Sequence, residues 1–315
     1  MSDPPVIQTR GLTRYFGAKP AVYELDLAVP RGSVFAFLGR NGSGKTTTIR
    51  MLLGLLEPTR GSGAVLGYDL CALPPEARAR IGYLTEDHQL YGWMSVRQSC
   101  EFQSQFYPRW NGKVLNGIID HFALKPEARV KDLSRGERAG LCLAQTLAPG
   151  PELLILDDPA LGLDPVARRS HLESMLYLTR RSARTIFFSS HNLADVERVA
   201  DYIAVLDRGV LCACCTLEMF RNSVRQVRLR FAGAPPPLPK VPGLLQAFRY
   251  EHELRLILVR LNGQVEQALR ALGPLEMEPL PLPLEDAFLS YLGEHGERSF
   301  ILDEADRDAG EVLKE

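Results

Sequence analysis

The stretch Gly39–Thr47, GRNGSGKTT, constrains this chain more than any other. It satisfies the pattern G-x-x-x-x-G-K-[ST] through Gly39, Gly44, Lys45 and Thr46. Such a loop makes a phosphate site only between a strand and a helix, and the flanks predict both. Val34–Leu38 (VFAFL) reads as a buried strand leading in. Ile49, Leu52, Leu53 and Leu56 fall at i, i+3, i+4 and i+7, the apolar face of a helix leading out. Glycines 39, 42 and 44 let the loop curl until successive N–H groups point at phosphate oxygens. The helix start adds the positive end of its dipole. Lys45 is expected at the β- and γ-phosphates and the Thr46 hydroxyl on Mg²⁺, with Asn41, Ser43 and Thr47 in the same cradle. The stretch predicts a nucleoside triphosphate site.

At 315 residues the chain predicts two domains, or one large and one small. Its 37 basic and 38 acidic residues leave no global field to attract nucleic acid, which is not expected as a partner. The opening MSDPPVIQ has neither a basic n-region nor an apolar h-region, so no secretory signal is expected. No uncharged apolar stretch is long enough to span a bilayer. Of the six cysteines, Cys212, Cys214 and Cys215 cluster as CACC, but no second pair or histidine stands at metal-ligand spacing. Free thiols in a reducing cytoplasm are the expectation.

Along the chain, Val6–Leu12 and Ala21–Val29 read as strands around a turn at Gly17–Pro20. Just before that turn, an aromatic such as Phe16 is suited either to stacking on an adenine or to plugging a strand edge. Arg80–Leu84 reads as a strand ending at Thr85 and Glu86. Residues 87–131 change in composition and read as a helical insertion, broken at Pro108–Gly112 and Pro126. Leu133–Glu137 (LSRGE) precedes a helix bearing Ala139, Leu143, Leu147 and Ala148. Leu153–Leu156 is an unalternating apolar run, as in a parallel sheet covered on both faces, and it ends in Asp157 and Asp158. A carboxylate at a strand's carboxyl end sits where ligands bind in open α/β sheets, making Asp157 the natural partner of Thr46 around Mg²⁺. Thr185–Phe188 is a further strand, closed by Ser189, Ser190 and His191, and Asp201–Leu206 is another.

With LSRGE between the two nucleotide motifs, residues 6–217 resemble the ATP-binding subunit of ABC transporters. GRNGSGKTT resembles the phosphate loop, Leu153–Asp158 the Walker B strand, and LSRGE the signature LSGGQ. Gly162-Leu163-Asp164-Pro165 is similar to the D-loop, His191 to the switch histidine, and Phe16 to the adenine-stacking aromatic. The phrases IGYLTEDHQLYGWMSV and SSHNLADVERVADYIAVLDRGVL resemble the bacterial exporter subfamily, in which ATPase and membrane subunit are separate chains. The resemblance implies an α/β P-loop NTPase core with an antiparallel β subdomain and a helical insertion (about 87–131). It also implies ATP and Mg²⁺ as ligands, with Thr46, Asp157 and Glu86 around the metal.

It further implies a head-to-tail pair, with itself or a sibling, in which Ser134, Arg135 and Gly136 of one subunit cap the ATP of the other. An integral-membrane permease is the implied partner, placing the chain on the inner face of the cell membrane. Tyr91, Trp93, Phe106 and Trp110 are candidate permease contacts or else fill the insertion's own core. Three positions depart from the family. Glu86 replaces the Q-loop glutamine, LSRGE departs at Arg135 and Glu137, and Asp158 stands where the catalytic glutamate is usual. Arg135 either lends a cation to the γ-phosphate or faces solvent. Asp158 and His191, with Glu86, are the expected catalytic groups, and the shorter Asp158 predicts slow hydrolysis. The alternative is a soluble ATP switch with no transport role.

The remainder, 218–315, reads as a small α/β accessory domain. Val227, Leu229 and Phe231 alternate with Arg228 and Arg230 as a half-buried strand. Residues 232–243 (AGAPPPLPKVPG) form a Pro-rich connector. Leu254–Leu261 is a second strand, Val265, Ala268, Leu269 and Leu272 mark a helix, and Leu284–Leu292 a last one. The charged stretch Glu304–Glu315 is expected to fray.

Overall fold

The computed structural model describes residues 3–164, 167–170, 172–173, 176, 184–292 and 302–303. The chain divides into two compact units, residues 1–211 and 212–315. The division falls ahead of the 217/218 boundary expected from sequence, inside a strand rather than after it. In chain order the first unit runs β1 (Ile7–Phe16), β2 (Lys19–Val29), β3 (Val34–Leu38), β4 (Arg60–Val65), β5 (Tyr68–Asp69), β6 (Ile81–Leu84), β7 (Leu153–Leu156), β8 (Thr185–Ser190) and β9 (Tyr202–Asp207). The strand β10 (Val210–Thr216) carries the chain across the division.

Two sheets organise the first unit. The antiparallel one has the order β2-β1-β4-β5, and the parallel one β6-β7-β8-β3-β9. Every residue of β3, β7 and β8 is buried, as unalternating apolar runs require when a sheet is covered on both faces. Phe35, Phe37 and Phe187 fill the centre, with the Phe35 and Phe187 rings stacked at 5.8 Å. Because the strands are parallel, their carboxyl ends lie along one edge. That edge delivers the phosphate loop after Leu38, Glu86 shortly after Leu84, Asp157 after Leu156 and His191 after Ser190.

The helix after the phosphate loop spans Lys45–Leu52, shorter than its sequence periodicity. Gly54 at φ +65° ends it, because a glycine takes the left-handed conformation that unwinds a helix at little cost. Leu56 therefore lies beyond the helix, and Met51 is buried in its place. In the insertion, Ser95 and Gln98 form a capping box that starts the helix Val96–Ser104, and Asn111 caps Gly112–His121. Val96, Cys100, Leu124, Val130, Leu133 and Leu141 make a small core there, to which the long helix Arg135–Leu147 contributes Leu141.

The second unit is built on the antiparallel order β12-β13-β11-β14, where β11 is Val224–Arg230, β12 Leu244–Arg249, β13 Glu253–Val259 and β14 Glu276–Leu280. The helix Gly263–Arg270 contributes Val265 and Leu269 to a core with Val227, Leu229, Leu254, Leu256 and Leu258. The basic strand VRLRF carries no free basic stripe, since Arg228 and Arg230 of β11 pair with Glu278 and Glu276 of β14. Residues 232–243 hold no regular structure. Arg249 donates to the carbonyls of Pro235 and Pro236 at 2.6 and 2.8 Å. Glu304–Glu315 lies outside the described residues.

Gly140 sits mid-helix, where a Cβ would overlap the Phe122 ring. Alanine ordinarily favours a helix by about 1 kcal/mol over glycine, but overpacking against a rigid ring costs about 1–3 kcal/mol. Gly140→Ala is therefore expected to lower unfolding stability, measured by denaturant melts, and Phe122→Leu in the same chain to recover the loss.

Candidate functional site

The loop Gly39–Thr47 wraps as its glycines require. Gly42 and Gly44 have φ of +79° and +108°, and a Cβ on Gly44 would strike the Ala21 carbonyl. Gly39 is as tightly held, between the Leu206 carbonyl and Ser43 Oγ. Lys45 Nζ donates to the carbonyls of Gly39 (2.8 Å) and Arg40 (3.2 Å). Burial pushes its pKa down, opposed by the nearby Asp158, Asp157 and Glu86. Ser43 Oγ is buried with no hydrogen-bond partner among the described residues. This is a pre-formed cradle whose lysine is partly desolvated and whose serine lacks an acceptor.

A cleft of about 360 Å³ opens over it, lined by Asn41, Gly42, Gly44, Lys45, Thr46, Thr47, Glu86, Asp157 and Asp158, with Ala21 and Leu161. The structure thus brings together the phosphate loop, the Glu86 position and both strand-end carboxylates. Gly39 and Ser43 are buried within the loop and do not line the cleft. The lining does not include Ser134, Arg135, Gly136, Phe16, Asp164 or His191.

The two aspartates are held by one residue that sequence reading passed over. The Ser189 hydroxyl, fully buried at the end of β8, donates to Asp157 Oδ1 at 2.7 Å and accepts from the Asp158 N–H at 2.9 Å. The signal was present as a polar residue ending an otherwise apolar buried strand. Asp158 has a left-handed backbone at φ +44°, and its Oδ2 lies 2.5 Å from His191 Nδ1. His191 acts first as the partner of Asp158. Among the described residues no group of three or more His, Cys, Asp or Glu converges as a metal cage. Mg²⁺ does not need one, because it keeps several waters and is bound by one or two carboxylates together with substrate phosphates. The donor set of Thr46 and Asp157 beside a phosphate cradle fits that habit.

Ser134 caps the helix Arg135–Leu147 in a capping box. Glu137 Oε2 accepts from the Ser134 N–H at 2.8 Å, and Ser134 Oγ accepts from the Glu137 N–H at 3.2 Å. These bonds hold the Glu137 carboxyl below its usual range. Arg135 leans on Gly162 of its own chain, 2.7 Å from where a Cβ would stand. Asp164 Oδ1 accepts from the Ala167 N–H at 3.0 Å, and Pro165 lies outside the described residues. Phe16 is 53% exposed, with the Arg14 guanidinium 5.0 Å from its ring centroid and anchored on the Glu57 carbonyl at 2.8 Å.

The chain is similar to known proteins. The ABC transporter family profile matches residues 22–161. The bacitracin transport ATP-binding protein of Bacillus licheniformis is 34% identical over 208 residues, 65% of this chain and 68% of that protein. The Nod factor export ATP-binding protein I of Cupriavidus pinatubonensis is 30% identical over 308 residues, 91% of each chain. This chain belongs to the ABC transporter ATP-binding family.

A solved ATP-binding subunit of an ABC transporter superposes with a TM-score of 0.62 at 28% identity, covering 69% of this chain and 92% of that one. The family membership makes the chain an ATP-hydrolysing P-loop protein. The departures in this ABC subunit have local physical readings. Glu137 serves the helix start as an acidic N3 capping residue, a place that a glutamine fills equally well. Glu86 stands near two further carboxylates. Burial, then Asp157 and Asp158, raise its pKa, and Lys45 opposes them.

Two outcomes follow for this ABC subunit. Ser189→Ala releases both aspartates at once and is expected to reduce ATP turnover about 10-fold or more, with Ser189→Thr restoring most of it. Loss in both variants alike would assign Ser189 to packing. The raised Glu86 pKa means that its charge is lost at a higher pH than for an ordinary carboxyl. Metal-free ATP, measured by fluorescence titration in chelator, is expected to bind Glu86→Gln several-fold more tightly near neutrality. The gap should close as pH falls through the Glu86 pKa and the wild-type carboxyl becomes neutral.

Proposed function

We propose that this ABC subunit powers an exporter by ATP-driven pairing with a second copy or a sibling. The observation that carries the reading is the separation of Ser134–Gly136 from the lining of their own chain's cleft. The site holds a phosphate loop, a lysine and carboxylates, but no signature segment. In the pair, each signature segment caps the nucleotide on the opposite subunit. Both exporter and transporter relatives favour this over a free-standing ATP switch. The cargo is chosen by a separate membrane subunit. Among the described residues no helix is long and apolar enough to cross a membrane, so we place the chain at the inner face through that permease.

Within the site, the backbone N–H groups of Gly42–Thr47 and Lys45 bind the β- and γ-phosphates. Phe16 presents to adenine the ring face that Arg14 does not cover, and Asp164 joins the opposing subunit's site. Thr46, Asp157 and Glu86 would hold Mg²⁺, which would neutralise phosphate charge. Asp158 accepts the proton of the attacking water, and the Nδ1–H of His191 aims its carboxylate. The aspartate is one methylene shorter than glutamate, a withdrawal of about 1.5 Å, and displacements of that order cost roughly 10²-fold. The left-handed Asp158 backbone and the Ser189 bond place the carboxylate, and hydrolysis stays slow.

Three of the four insertion aromatics support permease docking. Tyr91, Trp93 and Phe106 are 56%, 62% and 64% exposed, and contacts through Phe102 join them into one stripe. Trp110 is half-buried against Tyr107 instead. An aromatic patch of this kind is suited to burial against a partner.

Asp158→Asn is expected to lose at least about 10² in turnover while retaining MgATP and sedimenting as a dimer with it. Adding Ser134→Arg should abolish that dimer without abolishing ATP binding. A monomer at saturating MgATP would sink the pairing. Unchanged turnover in Asp158→Asn would remove Asp158 as the base. Trp93→Ala should release a co-purifying membrane subunit while leaving the isolated ATPase unchanged.

A further inference from the structure

Arg14 and Phe16 stand two residues apart on β1, which puts both side chains on one face of the strand. The Arg14 guanidinium carbon lies 5.0 Å from the Phe16 ring centroid, inside the range over which a ring face attracts a cation. Nη1 donates to the Glu57 carbonyl at 2.8 Å. Nε is shielded from water and has no hydrogen-bond partner among the described residues. An arginine in solvent keeps its rotamers and hydrates its N–H groups. Arg14 gives up both, with one N–H fixed on a carbonyl and another kept dry. Phe16 itself is 53% exposed, so the core does not hold its ring, and the guanidinium does.

The carbonyl that fixes Arg14 belongs to the segment following the phosphate-loop helix. That segment is tied back to the helix by the Leu55 and Leu56 N–H groups, which donate to the Arg50 carbonyl at 2.9 and 3.2 Å. It is tied to β1 by the Thr59 N–H on the Thr13 carbonyl at 2.7 Å, and by Thr59 Oγ1, which accepts from the Tyr15 N–H at 3.1 Å. The phosphate cradle at the start of the helix and the anchor of Arg14 just past its end thus belong to one hydrogen-bonded run of chain. A cation on one face of a ring also draws the π density toward itself. The opposite face then repels the π cloud of a base less.

We propose that Arg14 is a positioning residue for nucleotide recognition, holding Phe16 at a set place relative to the phosphate cradle so that base stacking and phosphate binding are satisfied together. This rests on the reading above that Phe16 stacks on adenine. Arg14 touches no part of the nucleotide. It removes the freedom of the ring before the ligand arrives, and so lessens the ordering that binding would otherwise have to impose.

Two ligands separate the ends of the site: Mg²⁺ with a β,γ-imido ATP analogue that is not hydrolysed, and Mg²⁺ with inorganic tripolyphosphate, which has no base. Calorimetric titration of the full-length chain is expected to show both binding. Phe16→Ala should weaken the analogue about 10-fold and leave tripolyphosphate unchanged. Arg14→Met keeps an unbranched side chain beside the ring but removes the cation and the donor. It should weaken the analogue about 3–5-fold, again with tripolyphosphate unchanged. Arg14→Lys, which keeps a cation and a donor without the planar fork, should recover part of the loss. In the Phe16→Ala background, Arg14→Met should change nothing further. An unaltered analogue affinity in Arg14→Met overturns the proposal. So does a parallel loss of tripolyphosphate, a loss that Arg14→Lys leaves whole, or one that survives undiminished in the Phe16→Ala background. Full analogue affinity in Phe16→Ala overturns instead the adenine-stacking reading beneath it, and a chain that binds neither ligand overturns the nucleotide site itself.

Discussion

Five parallel strands with their carboxyl ends along one edge are the constraint on which this ABC subunit depends. Strands buried on both faces leave polar groups only at their ends, and a parallel sheet puts all the like ends together. Lysine, carboxylates and a histidine therefore meet in one partly desolvated row, and each must be balanced by its neighbours. Lys45 leans on loop carbonyls, Ser189 ties Asp157 to Asp158, and Asp158 takes His191. The phosphates of a nucleotide enter a row of charges already fixed relative to one another, so little reorganisation is left for the moment of reaction.

Much of this was legible in the residues. The loop glycines and Lys45 announce their own backbone geometry. The apolar run Leu153–Leu156 announces a buried strand, and a carboxylate beyond it can only lie at the ligand edge. Other features were hidden because their cause is tertiary. Ser189 reads as one of two serines ending a strand, and only the register of β7 against β8 turns it onto the aspartates. Arg135 lies beside Gly162 of its own chain, a neighbour that only the tertiary fold supplies. Ser134 and Glu137, three residues apart, spell a capping box, a local signal that comparison with the signature passed over. The early end of the first helix followed from Gly54, a local signal that the apolar periodicity ran past.

In the second unit the misses have a different origin. The strands β12 and β14 escape periodicity because neither alternates cleanly. Leu244–Arg249 is half-buried at its start and exposed at its end, and EMEPL sets glutamates and a proline where apolar residues mark a strand. Their pairing partners, not their own composition, make them strands. Tertiary context outweighs intrinsic preference most readily at sheet edges.

That outer strand has a consequence for how the smaller unit meets other proteins. β14 lies at one edge of its sheet, and Pro279 within it has no N–H to offer. Glu276 and Glu278 beside it are engaged with arginines of β11. A foreign strand approaching that side meets a broken ladder and a row of charge, the features that keep sheet edges from adding neighbours. On the β14 side the unit is closed to growth by strand addition. Association there must proceed through side-chain surfaces, a mode that can be made selective and reversible.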